Sequence, residues 1–227
     1  MLAVFSAGVA PGLALLCYFY LRDQYDTEPV TTVAKTFIYG ALLTFPVMFI
    51  QYVLAEEGVV LPNAASAFFT VGLFEEFVKW FILYYLIYSH VDFDEPYDGI
   101  VYGTSVSLGF ATAENILYLL SYGVEHAFLR ALLPVSSHAL FGVLMGFYLG
   151  KAKFSRDGRK GGRLAFSLLI PFLLHGLYDY ILFIESVWLY YIIPFMLFLW
   201  WLALRKVKQA HKLSDHHYLQ MVRDGSS

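Results

Sequence analysis

The chain has 227 residues, of which 59% are hydrophobic, 19% are aromatic and 15% are charged, with a formal net charge of −3. Soluble domains are about 25% charged and alternate apolar with polar residues, whereas the apolar residues here form runs of roughly 20. Such runs cross about 30 Å of hydrocarbon as helices, which excludes an ordinary soluble globular domain. We therefore predict an all-α, polytopic membrane protein.

Seven transmembrane helices are predicted. The first covers residues 2–21 and resembles a retained helix rather than a signal peptide, because it lacks a basic start and a cleavage pattern. Its Cys17 is the single cysteine, so no intramolecular disulfide is expected. The later spans are 36–55, 65–88, 99–120, 128–150, 164–184 and 187–204. Residues 1–204 thus form one transmembrane domain, and residues 205–227 are predicted to be a basic, disordered cytoplasmic tail.

Basic residues predict the orientation. Six lie in or at the ends of the loop between spans five and six, and five lie in the tail: Lys151, Lys153, Arg156, Arg159, Lys160, Arg163, Arg205, Lys206, Lys208, Lys212 and Arg223. The positive-inside rule places both segments in the cytoplasm and the N-terminus outside. The loop around Asp92, Asp94, Glu95 and Asp98 falls on the same side although it is acidic, which that rule tolerates because acidic residues count little.

Glycines recur every four residues on two predicted spans. Gly142, Gly146 and Gly150 lie on the fifth span, and Gly99 and Gly103 lie on the fourth. Small residues at this spacing allow membrane helices to approach closely. They predict tight helix packing rather than a functional site.

Polar residues inside the predicted spans are the main functional signal. An ionisable side chain at bilayer depth costs about 2.5–3.5 kcal/mol on insertion scales. Eight polar residues stand out on four spans: Glu75, Glu76, Lys79, Glu114, Asn115, His138, His175 and Asp179. Those on different spans lie at similar depths from the outer end, so we predict one polar pocket in the outer half of the bilayer.

Helical spacing predicts contacts within this pocket. His175 and Asp179 are four residues apart and share a helix face, so the carboxylate can orient the imidazole. Glu75 and Lys79 have the same spacing and can form an ion pair, whereas Glu76 points about 100° away. Each pair could also be only structural. Two adjacent carboxylates in different surroundings can divide acid and base duties, but the sequence does not assign them.

The missing motifs narrow the chemistry. There is no His-Glu-x-x-His motif of a zinc metalloprotease. The string Gly103-Thr104-Ser105-Val106 lacks the second glycine of a serine-type site. An aspartyl-type site needs two membrane aspartates, and only Asp179 is well placed. Glutamate and histidine remain, and together they suit a water molecule activated by a carboxylate base.

Three motifs in chain order resemble the PrsW family of intramembrane proteases, relatives of the CAAX-processing and bacteriocin-processing glutamate proteases. They are EEFVK at 75–79, FATAEN at 110–115 and HGLYD at 175–179. SAGVAPG at 6–12 and RALLPVS at 130–136 extend the resemblance over nearly the whole chain.

The resemblance implies a multi-pass protease of the bacterial cell membrane. Its expected substrate is a single-pass anti-sigma factor, cut first (site-1) on the extracytoplasmic side so that the sigma factor is later released in an envelope stress response. The implied partners are this substrate and the bilayer, and no nucleic acid.

The resemblance also implies roles. Glu75 or Glu76 would activate water. His175 would assist, and Asp179 would orient its imidazole; CAAX-type relatives often carry Asn at the position of Asp179. Glu114 stands where the wider superfamily usually has His, so His138 becomes the candidate for a second imidazole. Lys79 and Asn115 would support these groups.

Three alternatives stay open on the sequence. A proton-coupled transporter or channel would use the same buried groups as a relay, although no internal repeat is present. A sensor or scaffold would use them structurally. A third variant keeps the protease but holds zinc among the glutamates and histidines: Glu75, Glu76, Glu114, His138 and His175. Glutamate-type relatives are expected to need no cofactor, and we expect none here.

Overall fold

The computed structural model describes residues 1–59, 61–155, 157–184 and 187–223, and its regular secondary structure in these ranges is entirely helical. Seven helices follow one another: α1 (Leu2–Tyr20), α2 (Val30–Glu56), α3 (63–87), α4 (Asp98–Tyr122), α5 (Val124–Lys153), α6 (Lys160–Leu182) and α7 (Trp188–Arg223). The predicted all-α polytopic class is confirmed. Arg156 of the basic loop and the last four residues of the predicted tail lie outside the described ranges.

Five helices, α1, α2, α5, α6 and α7, are long and apolar enough to cross a membrane. Helix α3 carries Glu75, Glu76 and Lys79 at its centre, which lowers its hydropathy. Helix α4 lies inside the bundle against α1, α2 and α5. All seven helices match a predicted span, although α2 already begins at Val30 rather than at residue 36.

Two of the helices contain wide, π-type turns. In α3 these turns cover Ser66–Gly72 and Leu83–Ile87, on either side of the regular segment Leu73–Ile82. In α5 the wide turn covers Ala131–Val135 and includes Pro134. A π turn adds a residue to the helical repeat and rotates the following side chains, and such turns are frequent at functional sites.

Glycines set the contact between α4 and α5. A side chain at Gly146 would meet the carbonyl oxygen of Gly99, and one at Gly103 would meet that of Gly142. Because a Cβ at these positions has no space, the two backbones touch directly. The predicted role of these glycines in close packing is confirmed.

Helix α7 differs from the prediction at its C-terminal end. We expected a disordered tail from residue 205, but α7 continues as a helix to Arg223, and we call residues 205–223 the α7 extension. Ser214 in this extension accepts a hydrogen bond from the Tyr97 backbone N–H at 3.1 Å, and Tyr25 donates to Asp215 at 2.6 Å. The basic composition suggested a solvated tail, whereas one face of the extension packs on the loops below α1 and α3.

We predict that Gly146→Ala destabilises the protein by about 1–3 kcal/mol, because the new methyl group collides with the Gly99 backbone. The matched control is Gly161→Ala at the exposed start of α6, where an added Cβ meets nothing within 4 Å. That change should be neutral or slightly stabilising. Thermal unfolding of the two purified variants in detergent measures the difference, and equal melting temperatures would contradict the packing model.

Candidate active site

Side chains from four helices meet where α3, α4, α5 and α6 face one another. We call this group the polar cluster; its members are Glu75, Glu76 and Lys79 of α3, Glu114 of α4, His138 of α5, and His175 and Asp179 of α6. The structure therefore brings together all the ionisable residues that the sequence analysis selected within the spans. Asn115 lies beside the cluster and donates to the Gly8 carbonyl oxygen at 3.1 Å.

The backbones of α3 and α6 approach closely beside the cluster. A Cβ built on Gly72 would lie 3.0 Å from the backbone nitrogen of Gly176, so any larger residue would push the helices apart. Gly176 follows His175 directly, and Gly72 lies one turn before Glu75 and Glu76. This close approach lets short carboxylate side chains of α3 reach an imidazole of α6.

Lys79 lies at the centre of the polar cluster and is completely buried. Its Nζ is 2.8 Å from Glu76 Oε1, 3.5 Å from Glu75 Oε2 and 3.1 Å from His138 Nδ1. The ammonium also lies over the Phe110 ring, 4.2 Å from its centroid. We expected Lys79 to pair with Glu75 alone, but its shorter contact is with Glu76, three residues away.

His175 bridges the carboxylates of α3 and α6. Its Nδ1 is 2.9 Å from Glu76 Oε1, and its Nε2 is 3.4 Å from Asp179 Oδ2 and 3.9 Å from Glu75 Oε2. Phe141 stacks on the imidazole at 5.1 Å between ring centroids and fixes its plane. The predicted contact between His175 and Asp179 is present, but the tighter partner of His175 is Glu76.

The contacts of His138 determine which of its nitrogens carries the proton. An ammonium has only donors, so the Nδ1 that faces Lys79 accepts a hydrogen bond. The proton of the neutral ring then lies on Nε2, which is 3.3 Å from Glu114 Oε2. His138 therefore lies between the Lys79 ammonium and the Glu114 carboxylate, and both of its ring nitrogens are in contact with a partner. This geometry suits a positioning role better than the role of a base.

The two adjacent glutamates have different surroundings. Glu76 is completely buried, its Oε1 receives both short contacts from Lys79 and His175, and its Oε2 has no hydrogen-bond partner in the described part of the chain. Every contact of Glu75 is longer, including 3.4 Å from Gln51 Nε2 to Oε1. Glu76 is thus the fixed carboxylate of the pair, and Glu75 is the less constrained one.

The polar cluster is more accessible on one side. The side chains of Glu114 and Asp179 are 31% and 18% exposed, whereas those of Glu75, His138 and His175 are almost buried. Glu114 and Asp179 therefore mark the more exposed side of the polar cluster. Glu75, His138 and His175 lie behind them, inside the helix bundle.

Sequence reasoning missed two polar residues at the cluster. Gln51 of α2 also donates to the Thr70 carbonyl oxygen at 3.4 Å, which ties α2 to the start of α3. Arg130 of α5 reaches Asn115 Oδ1 with Nε at 3.3 Å and lies 3.8 Å from Glu114 Oε2 with Nη2. Gln51 is a polar residue inside a predicted span, so the sequence alone could have pointed to it. Arg130 contributed only to the count of basic residues that predicted the orientation.

Three cluster members have donor atoms near enough to share one metal ion. Ligand atoms of Glu75, His138 and His175 lie within 4.8 Å of one another, and oxygen and nitrogen donors suit zinc. The Lys79 ammonium, however, already contacts Glu75 and His138. A divalent cation among these atoms would meet a positive charge at short range, so the arrangement of donors does not fit a resident metal.

The chain is similar to known proteins over nearly its whole length. Residues 28–203 match the profile described as "PrsW family intramembrane metalloprotease". The chain is 63% identical to "Protease PrsW" of Geobacillus kaustophilus over 210 residues, covering 92% of this chain and 93% of that protein. It is 60% identical to "Protease PrsW" of Bacillus subtilis, covering 94% and 98%, and 32% identical to that of Clostridioides difficile, covering 92% and 91%. No solved structure matches the chain.

We predict that Lys79→Met destabilises the protein by about 3–5 kcal/mol, because it leaves two buried carboxylates without their counter-charge. Lys35→Met is the matched control, since Lys35 is exposed on α2. Its effect should stay within about 0.5 kcal/mol. The free energy of unfolding in mixed micelles measures both, and a Lys79→Met loss no larger than that of the control would disprove the central role of the ammonium.

Proposed function

This chain belongs to the PrsW family of intramembrane proteases, and we propose that it cuts peptide bonds with Glu75 as the base that activates water. The polar cluster supplies the groups that such a reaction needs, in one shielded place. The observation that favours Glu75 over Glu76 as the base is that Glu76 makes shorter contacts with its neighbours than Glu75 does. Two short charge-assisted contacts occupy Glu76 Oε1 and fix this carboxylate in place. Glu75 keeps the reactivity that a base requires.

The proposed reaction is an addition of water followed by loss of the amine. Glu75 removes a proton from water while the oxygen forms a bond to the carbonyl carbon of the substrate. The electron pair of the C=O bond moves to its oxygen, giving a tetrahedral oxyanion. When this collapses, the C–N bond breaks and the proton held by Glu75 goes to the leaving nitrogen. Water is consumed, and a carboxylic acid and an amine are formed; the acid then passes its proton to the amine, giving a carboxylate and an ammonium group.

His175 is the proposed donor to the oxyanion. Its Nε2 lies 3.4 Å from Asp179 and 3.9 Å from Glu75, which is longer than a strong hydrogen bond, so in the imidazolium form the Nε2–H can donate to a substrate oxygen. Glu76 anchors the other nitrogen of the ring at 2.9 Å. Asp179 orients the ring, and Glu114 does the same for His138.

The proposed mechanism uses no metal. In a metalloprotease a cation lowers the barrier by polarising water, and in this cluster the buried ammonium of Lys79 holds the positive charge instead. The description of the matching family names a metalloprotease, whereas the contacts of Lys79 with Glu75 and His138 support the glutamate type.

We further propose that the substrate is a single-pass anti-sigma factor in a bacterial cell membrane. The first, site-1 cut would fall on its extracytoplasmic side and lead to release of the sigma factor in an envelope stress response. Two observations support this: the family resemblance of the three motifs, and the excess of basic residues in the α5–α6 loop and the α7 extension. That excess supports an N-terminus outside and a C-terminus in the cytoplasm. The comparisons name proteases and give no support to the transporter or scaffold alternatives.

We expect Glu75→Gln to lower proteolysis about 10²–10⁴-fold with little loss of stability, because it removes the base but breaks no short contact. Glu76→Gln should lower both activity and thermal stability, since it weakens the contacts of Lys79 and His175. His175→Ala should also lose activity. Cleavage of a tagged single-pass protein in liposomes and the melting temperature in detergent measure these effects.

Glu57→Gln is the matched control, because Glu57 is exposed just after α2. It should change neither activity nor melting temperature. Full activity of Glu75→Gln combined with an inactive but stable Glu76→Gln would reverse the proposed roles of the two glutamates. Full activity of both, and of His175→Ala, would remove the hydrolytic assignment altogether.

Proteolysis is also expected to survive phenanthroline, which strips zinc and iron, when Ca²⁺ and Mg²⁺ are kept in excess. The reason is that Lys79, rather than a transition metal, balances the carboxylates of the cluster. Rates with and without the chelator are compared on the same liposomes, with a known zinc protease as the positive control for chelation. Inhibition that added Zn²⁺ reverses would establish a zinc enzyme instead.

A further inference from the structure

A second group of carboxylates lies at the other end of the bundle, near the α7 extension. Asp23 follows α1, Glu95 precedes α4, and Asp98 is the first residue of α4. One carboxylate oxygen from each lies within 4.8 Å of the others. We call these three residues the acidic triad. Asp98 and Glu114 are 16 residues apart on the same helix, so the triad lies about 24 Å from the polar cluster along α4.

The triad is buried, and no lysine or arginine in the described part of the chain pairs with it. Asp23, Glu95 and Asp98 are 9%, 5% and 0% exposed. No Lys or Arg of the described residues forms an ion pair with any of them. Three carboxylates in this position repel one another and have lost most of their hydration, which is costly unless a cation or protons neutralise them.

Several triad oxygens accept no hydrogen bond within the described ranges of the chain. Both oxygens of Asp23, Oε1 of Glu95 and Oδ1 of Asp98 accept no hydrogen bond from the described residues. The other oxygen of Asp98 accepts from the backbone N–H groups of Asp94 and Glu95, at 2.8 and 2.6 Å. These two donors fix the orientation of the Asp98 carboxylate. The protein therefore presents buried acceptor atoms that it does not itself satisfy.

The chemistry of the donors selects the class of ligand. All three side chains offer hard oxygen atoms, and hard oxygen donors suit Ca²⁺ and Mg²⁺ rather than zinc. Ca²⁺ binds oxygen at about 2.3–2.6 Å, so ligands on opposite sides of the ion are about 4.6–5.2 Å apart. The spacing of the triad oxygens falls within the reach of one such ion. Unlike the polar cluster, the triad contains no ammonium that would repel it.

We propose that Asp23, Glu95 and Asp98 form a binding site for an oxygen-preferring divalent cation, Ca²⁺ or Mg²⁺. The bound ion joins the α1–α2 loop, the α3–α4 loop and the start of α4. The α7 extension packs beside it, because Ser214 accepts from the Tyr97 backbone and His211 stacks on the Tyr97 ring at 4.4 Å. The ion would therefore stabilise the end of the bundle from which α4 leads to the polar cluster.

Binding can be measured on the full-length protein in detergent after removal of divalent cations with EDTA. Titration calorimetry with CaCl₂ and separately with MgCl₂ should give saturable binding of one ion per chain. At a hundredfold excess over Kd, the melting temperature should rise by roughly 5–10 °C. Asp23→Asn should weaken binding at least tenfold, and because neither Asp23 oxygen accepts a hydrogen bond, this variant should still fold.

Asp26→Asn in the same loop is the matched control, because Asp26 is exposed, and it should bind like the wild type. Glu76→Gln should also keep full binding, which separates this site from the polar cluster. Absence of stoichiometric binding of both ions to the wild type would overturn the proposal in favour of carboxyl groups that share protons. Equal binding by Asp23→Asn, or binding lost only in Glu76→Gln, would place the ion elsewhere and overturn it as well.

Discussion

The buried ammonium of Lys79 is the interaction on which the rest of the site depends. Two ionised glutamates at bilayer depth would be expelled or neutralised unless a positive charge lay within a few ångströms. Lys79 meets this condition from the same helix, with contacts of 2.8 Å to Glu76 and 3.5 Å to Glu75. Its third contact, with His138 on α5, links the charge balance of α3 to the neighbouring helix. The cluster is thus electrostatically a single unit, and the properties of each member follow from its distance to this ammonium.

Helix geometry explains why two adjacent glutamates differ. Residues three and four positions before Lys79 both lie on its face of α3, but Glu76 makes a short contact of 2.9 Å with His175, whereas Glu75 lies 3.9 Å from it. The close approach of Gly72 to Gly176 sets the distance between α3 and α6 that makes this second contact possible. Two short contacts, from Lys79 and His175, hold Glu76 in place, whereas Glu75 retains a longer and weaker set of contacts. An asymmetry suited to acid–base chemistry therefore arises from backbone packing.

Much of the fold and of the polar cluster could be predicted from the sequence, because the position of a residue within a transmembrane helix gives its depth in the membrane. The seven helices and the meeting of Glu75, His138 and His175 followed from the lengths of apolar runs and the positions of polar residues within them. The sequence could not predict which of two adjacent residues a side chain contacts, for example that Lys79 lies closer to Glu76 than to Glu75. Such contacts depend on the π turns of α3 and on the rotation of the helix. Docking of the α7 extension was missed for a related reason: basic residues on its solvated face concealed a packed face with Ser214 and His211.

The polar cluster and the acidic triad differ in whether a buried ammonium lies beside their carboxylates. In the polar cluster the buried ammonium of Lys79 lies beside both glutamates and balances their charge. In the acidic triad the described chain supplies no such cation, and its unpaired oxygens belong to loops that fix the start of α4. Since α4 also carries Phe110 against Lys79 and Glu114 against His138, the position of its first residue constrains both contacts. A cation bound at the acidic triad, as proposed, would therefore also constrain the geometry of the polar cluster at the other end of this helix.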